Sequence, residues 1–335
     1  MGSSFEENIL TDPIVNGRVI TPSDIYFQDI RDCINIADNG DIIDLGGKTY
    51  IGTNPRMDVT RNITIINGIL NPSNNVNSGM SFSNCKLVNV TFQNYYYSQN
   101  SGSWPINFNN AQLTNVNFIN MSFPTAFGTA QNSKLEGCKF INLTSRLAHD
   151  DKNYEWGAML ILYTSEVNNS LFYNCTTNRH SGAIWVAGRP GNIVNITNTD
   201  FIYCHAGIGG AIYVHGTHTN ENHYSNIINC NFINCSATAW GGALGSSQDY
   251  LNVEDCNFIN NTARKGAAYM VGGIQNGLDG DNTQGHHNTM KNCYFFNNTG
   301  TEEGGAVHMT GHYNTAIDCI FDDNFAINGK GSAIY

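Results

Sequence analysis

A phenylalanine returns nine times along this chain, each time inside the same short pattern. The segments VNVTFQN (88–94), TNVNFIN (114–120), EGCKFIN (136–142), NNSLFYN (168–174), TNTDFIY (197–203), INCNFIN (228–234), EDCNFIN (254–260), KNCYFFN (291–297) and IDCIFDD (317–323) place it at Phe92, Phe118, Phe140, Phe172, Phe201, Phe232, Phe258, Phe295 and Phe321. Neighbouring phenylalanines are 22 to 37 residues apart. Self-similarity at a period of about 20–50 residues marks a repeat architecture, whose units are too small to bury their own apolar faces and bury them against each other.

A second motif keeps the same period: WGAML (156–160), SGAIW (181–185), GGAIY (209–213), GGALG (241–245), KGAAY (265–269), GGAVH (304–308) and GSAIY (331–335). From Phe172 onward it begins 7 to 10 residues after each phenylalanine. Both motifs are short, alternating and bounded by Gly or Asn, the signature of strands and turns. Helical periodicity appears only earlier, over Asp24 to Ala37 (DIYFQDIRDCINIA), with Ser23 or Asp24 as the cap. A strand pair per period, with a variable stretch able to hold a third strand, describes one coil of an all-β parallel β-helix with a short N-terminal capping helix. Nine coils at about 4.8 Å each give a rod of roughly 40 Å. A propeller or sandwich would favour Asn-Gly hairpins at a fixed position, and the repeats carry none. The expected organisation is an arm at 1–20 that begins with an expression-tag remnant, Met1-Gly2-Ser3-Ser4. A cap and first coils follow at 21–80, then repeat coils over 81–335.

Composition narrows the function. Only 13% of residues are charged and the net charge is −11, while 50 Asn and 34 Gly supply polarity and turns. Without clustered Lys and Arg, nucleic acid and anionic membrane are excluded as partners. No run of about 18 apolar residues offers a membrane span. The expectation is a monomer that does not itself insert in a membrane.

Stacking converts the repeat into columns. Two residues before each phenylalanine stand Val90, Val116, Cys138, Ser170, Thr199, Cys230, Cys256, Cys293 and Cys319, an interior position with a size limit. The ten cysteines follow this period and contain no CxxC pair, so buried free thiols are expected instead of a metal site or a disulfide framework. Two residues after the phenylalanine, seven of nine positions are Asn. Asn tolerates left-handed backbone, and its side chains can hydrogen-bond from coil to coil.

In the glycine-rich motif, the residue after its alanine (Met159, Ile184, Ile212, Leu244, Ala268, Val307, Ile334) is apolar and expected to point inward. The next column, Leu160, Trp185, Tyr213, Gly245, Tyr269, His308 and Tyr335, is then expected outside by the two-residue alternation of strands. Its rings, Trp185, Tyr213, Tyr269, His308 and Tyr335, are the candidate ligand-binding residues. Rings stacked at the strand spacing make a flat platform for sugar faces. The blander alternative is that they cover the rod.

The paired tetrapeptides, with FINN (258–261), FFNN (295–298) and FDDN (321–324) beside GGAI, GGAL and GGAV, resemble the repeats of chlamydial polymorphic membrane proteins. The Asn-rich coils, preceded by CINIADNGDIIDLGGKTYIGT (33–53) and NITIING (62–68), resemble adhesin-like surface proteins of methanogenic archaea. The resemblance implies a right-handed, single-stranded parallel β-helix at the cell surface, extracellular, with adhesion to glycans or another cell as its role. It carries no catalytic residues and no cofactor.

An enzyme is the alternative, because polysaccharide lyases and hydrolases also use this fold. Candidate acids are Asp150-Asp151, Glu254-Asp255, Asp279 with Asp281, and Glu302-Glu303, but none recurs at matching positions in adjacent coils with a basic neighbour. Asn198-Thr199-Asp200 resembles a polygalacturonase signature whose companion motifs are missing. Asp279 and Asp281 are the candidate positions for weak Ca²⁺ binding. His205, His215, His218, His223, His286, His287, His308 and His312 are loop histidines that stacking can gather. About ten Asn-x-Ser/Thr sequons occur, Asn62, Asn89, Asn168 and Asn195 among them, and some of the ten can carry glycans if the chain is exported. The last strand, Ile334-Tyr335, has no cap, so the chain is expected to continue into further modules and an anchor.

Overall fold

The computed structural model describes residues 17–73, 76–97, 105–146, 159–188, 191–216, 225–275, 278–281 and 285–335, with backbone alone for 273–275 and 278–281. It is a parallel β-helix. Each later coil carries four short strands, named a to d here. One coil reads a, Ile212–Val214; b, Asn226–Ile228; c, Asn231–Ile233; d, Ser236–Trp240. The a strands form a ten-stranded parallel ladder. The b and c strands stack in register along the rod, so every phenylalanine pairs with the next: Phe92 with Phe118, Phe118 with Phe140, and on to Phe295 with Phe321.

Local chemistry explains the corners. A single left-handed residue joins b to c and another joins c to d. The first series runs Asn67, Asn89, Asn115, Gly137, Asn169, Asn198, Asn229, Asp255, Asn292 and Asp318, all at positive φ. The second runs Asn94, Asn120, Asn142, Asn174, Tyr203, Asn234, Asn260, Asn297 and Asp323. Asn reaches this conformation at low cost, and its carboxamide then meets the one in the next coil. Asn142 donates to Asn120 at 3.0 Å, Asn174 to Asn142 at 2.9 Å, Asn229 to Asn198 at 2.6 Å and Asn297 to Asn260 at 2.8 Å. In each pair the amide of the later coil donates to the oxygen of the earlier one. Several amide rows start on a carboxylate: Asn231 on Asp200 at 2.7 Å, Asn292 on Asp255 at 3.1 Å and Asn168 on Glu136 at 2.7 Å.

The core is one column of rings flanked by small residues. Phe140 and Phe172 lie 4.4 Å apart and 2° from parallel. Beside them the position two residues earlier holds a small donor. Ser170 Oγ donates to the Asn168 carbonyl at 2.8 Å, Thr199 to Thr197 at 2.7 Å, and Cys256 Sγ to Glu254 at 3.2 Å. Cys, Ser and Thr interchange because each satisfies the same carbonyl. All ten thiols are free, and nine are buried. Burial pushes the Cys85 and Cys138 thiols up to about 12, so these sulfurs are packing groups and not nucleophiles.

The helix spans Phe27–Ile36 and seats Phe27, Ile30 and Cys33 on the first coils. It starts three residues later than the pattern predicts. The Asp24 carboxylate accepts from Ile25 N–H, and Tyr26 bridges to Ile51 as a strand residue. Ser23 helps indirectly by holding Asp29, which accepts from Tyr26 N–H at 3.1 Å.

Below the helix, Asp41 is buried and accepts from the Arg18 backbone, the Arg18 guanidinium and Asp38 N–H. The Arg18 hydrogen bond holds its carboxyl down at about 2, from an ordinary 3.8. A depressed carboxyl stabilises the fold above its unfolded value, and that contribution is lost as pH falls through the folded one. Asp41→Asn is therefore expected to lower the melting temperature at neutral pH, with the gap to the parent closing between about pH 4 and pH 2. An equal gap at both ends would overturn the assignment.

Candidate functional site

The a strands set the outer face. Leu160, Ile184, Ile212, Leu244, Tyr269 and Val307 are in register and point into the core. Ile161, Trp185, Tyr213, Gly245, Met270 and His308 form the next, outward column, and the bridge between Val307 and Ile334 sets Tyr335 above it. Tyr269 is thus a correction: it is a fully buried core residue, and Met270 holds the outer place. Ala267 occupies the second-glycine position, so Ala268, and not Ala267, aligns with Ala243. Leu160 moves inward for the same kind of one-residue offset. Of WGAML, 156–158 lie outside the described residues.

Outward does not mean exposed. Trp185, Tyr213 and His308 are 6%, 4% and 3% exposed, against 45% for Tyr335. Trp185 and Tyr213 pack with Ala126, Ile161, Tyr163 and Ala187 in a second apolar cluster, with Ile208 against it. The His180 ring stacks on Tyr213 at 5.4 Å, and His215 meets Trp185 edge-on at 5.9 Å. Burial pushes the Tyr213 hydroxyl up to about 12, against the opposing hydrogen bond to Ser247. Further along, His308 Nε2 lies 3.3 Å from Glu303, which pairs with Lys265 at 2.9 Å. The Lys265 ammonium holds the Glu303 carboxyl below its ordinary value.

The exposed rings are elsewhere. At the corner between a and b, eight residues before the phenylalanine, early coils carry Asn84, Asn110 and Asn132 at positive φ. The last three carry Tyr250 (φ 60°), His287 (φ 57°) and Tyr313 (φ 59°). Tyr250 and His287 stack at 4.9 Å and 5°, and His287 and Tyr313 at 4.9 Å and 10°. Tyr313 is 77% exposed. Beside this ladder His286 and His312 stack at 5.1 Å, and His286 Nδ1 accepts from His312 N–H at 2.8 Å. Bulky residues rarely adopt this backbone, and such conformations concentrate at functional sites. Of the eight loop histidines that stacking can gather, His286, His287 and His312 come together at this corner. The constant offset of eight from the phenylalanine is the signal that locates the ladder.

A groove of about 700 Å³ crosses the b strands of four coils. Lys134, Glu136, Glu166, Asn168, Thr197 and Asn226 line it. Of the sequence-stated candidates, Asp150, Asp151, His218 and His223 lie outside the described residues, as do the side chains of Asp279 and Asp281. The backbone there forms an antiparallel hairpin of Gly273–Gln275 and Leu278–Asp281. Among the described residues no group of three or more His, Cys, Asp or Glu converges as a metal site.

The Chlamydia polymorphic membrane protein repeat matches residues 292–310, the stretch that holds FFNN and GGAV. No curated protein matches the chain. Among solved structures, the catalytic domain of a GH87 α-1,3-glucanase in complex with nigerose is similar over 95% of this chain and 66% of its own, at 12% identity and a TM-score of 0.52. A PL6 family alginate lyase matches over 87% of this chain and 44% of its own, at 13% identity and a TM-score of 0.47. A mannuronan C-5 epimerase A-module from Azotobacter vinelandii matches over 92% and 93%, at 10% identity and 0.39. The chain thus spans just under two thirds of the glucanase domain, and what it shares with that domain is the parallel β-helix fold.

Proposed function

We propose that this chain is the β-helical stalk of a cell-surface, extracellular adhesin-like protein, akin to those of methanogenic archaea. It is non-catalytic and monomeric, and it attaches to glycans or to the surface of another cell. The observation that carries this reading is the Tyr250–His287–Tyr313 ladder. Three rings at a uniform 4.9 Å stand where the early coils carry Asn84, Asn110 and Asn132, on a backbone that disfavours them. An exposed ring row offers apolar faces to sugar rings along the rod axis. The match to a polymorphic membrane protein repeat supports surface display. Among the described residues no helix is long and apolar enough to cross a membrane.

The test uses the chain's own solution for a neutral corner. Tyr250→Asn, His287→Asn and Tyr313→Asn together restore the residue found at Asn84, Asn110 and Asn132, so the fold is expected to persist. At about 1 kcal/mol per ring contact, binding on a glycan array or to whole cells is expected to fall about hundredfold. Unchanged binding by the triple variant sinks the ladder as the contact. Trp185→Ala with Tyr213→Ala serves as the comparison, expected to destabilise the rod more than it weakens binding. The competing reading, a secreted polysaccharide lyase or glycoside hydrolase, draws support from the fold alone. Turnover of any polysaccharide in a reducing-end or unsaturated-product assay would replace the adhesive reading with it.

A further inference from the structure

The groove on the b strands differs in chemistry from the ring ladder. Strands Lys134–Glu136, Glu166–Asn168, Asn195–Thr197 and Asn226–Ile228 stack in register beneath it. Its side chains therefore recur about every 4.8 Å along the axis, and an extended polymer lying along the rod meets a polar group at each coil. The groove is also pre-arranged. Lys134 Nζ pairs with Glu166 at 3.1 Å. Asn168, a sequon position, is the hub: its amide nitrogen, the atom a glycan would take, instead donates to Glu136 at 2.7 Å, and its oxygen accepts from Thr197 and Asn198, each at 2.8 Å.

Charge decides what fits. Two carboxylates face one ammonium, which Glu166 already neutralises. Among the described residues the Glu136 carboxylate receives only the Asn168 amide, and no cation pairs with it. Further along the same column the position is closed differently, where Glu254 pairs with Lys291 at 2.7 Å and carries its own countercharge. Glu136 is thus an acceptor left open in a groove of amides and hydroxyls, on a chain of net charge −11. Hydroxyl and ammonium donors are welcome there, while a carboxylate on each ligand residue would add repulsion at every coil.

We infer that this groove is a second glycan site, which takes neutral or amine-bearing hexose chains, amine-bearing ones most tightly, and rejects uronates. The inference rests on the adhesive reading and adds the class of ligand to it. The test is calorimetric titration of the whole chain with three tetrasaccharides: β-1,4-linked glucosamine, β-1,4-linked glucose and galacturonate. Glucosamine is expected to bind tightest, glucose more weakly, and galacturonate not at all. Glu136→Gln is expected to weaken glucosamine about tenfold, as for loss of a charge-assisted hydrogen bond, and to leave glucose nearly unchanged. Asn168→Ala is expected to weaken both. Circular dichroism and melting temperature check that each variant keeps the fold. Galacturonate binding as tight as glucosamine overturns the inference, and so does failure of the parent chain to bind either other sugar. If Glu136→Gln and Asn168→Ala change nothing while the triple Asn variant of the ladder loses cell or array binding, the groove is wrong and the adhesive reading stands. If the groove variants lose tetrasaccharides while the ladder variant loses nothing, the groove stands and the ladder does not.

Discussion

Replacing Phe172 with alanine is expected to lower the unfolding free energy by about 3–5 kcal/mol. The ring is fully buried. It stacks on Phe140 at 4.4 Å and on Phe201 at 5.1 Å, within 11° of parallel in both cases. Truncation removes its transfer free energy, leaves a cavity that neighbouring coils cannot close, and loses two ring contacts of about 0.5–1.5 kcal/mol each. Because a solenoid's stability is held in nearest-neighbour interfaces, the loss weakens the coil on both sides. Guanidinium denaturation of Phe172→Ala and Phe172→Leu measures it. Leucine should recover a large part. A loss below about 1 kcal/mol for alanine would mean that the column is not the continuous core described above.

Asn298→Leu is expected to be comparably damaging although it makes the core more apolar. Asn298 is fully buried. Its Nδ2 donates to the Phe258 carbonyl at 2.9 Å and to Asn324 at 2.9 Å. Its Oδ1 accepts from Asn261 N–H at 2.9 Å and Asn261 Nδ2 at 3.0 Å. Leucine strands the Phe258 carbonyl, the Asn261 backbone N–H and one N–H of the Asn261 carboxamide together. Each stranded buried group costs about 1–3 kcal/mol, so at least about 3 kcal/mol is at stake. The chain indicates a milder change. Earlier coils fill this column with Cys175, Cys204 and Cys235, whose thiols reach the same kind of carbonyl, as Cys235 does to Phe201 at 3.4 Å. Asn298→Cys should therefore cost clearly less than Asn298→Leu in the same denaturation assay. Equal losses would show that volume, and not the hydrogen bonds, governs the site.

Sequence and structure agree where the chain's spacing is rigid. From the a–b corner to the phenylalanine every step has fixed length, so the Phe column, its small neighbours and the left-handed Asn corners are legible by counting. After the phenylalanine the d strands bulge, with register shifts between Ala206 and Ile208 and between Ser236 and Trp240. The glycine-rich motif then has to be aligned on its own residues, and Ala267 in the second-glycine position is why Tyr269 reads as an outer ring and sits inside. Parity also says nothing about cover. Trp185 and Tyr213 do face outward, but the rings of His180 and His215 and the end of the d strand close over them. The exposed ladder lay on the rigid side of the count, at a constant eight residues before Phe258, Phe295 and Phe321, in a column that begins as Asn84, Asn110 and Asn132 and passes through Thr164 and Ile193. The groove was not legible at all, because Glu136 and Glu166 stand in different columns and meet only across coils.

The one-way amide rows make the rod's surface sensitive to chemical ageing in a position-dependent way. Asn is among the thermolabile residues, and deamidation turns a donor into a carboxylate. At the foot of a row, where Asp200, Asp255 and Glu136 already stand, an acid completes the sequence of donors above it. In the middle, at Asn142 or Asn229, the new carboxylate would face the oxygen of the coil below and break the row into two. Survival of this surface over long exposure therefore depends less on how many amides are lost than on whether the losses fall at the first coil of a row or within it.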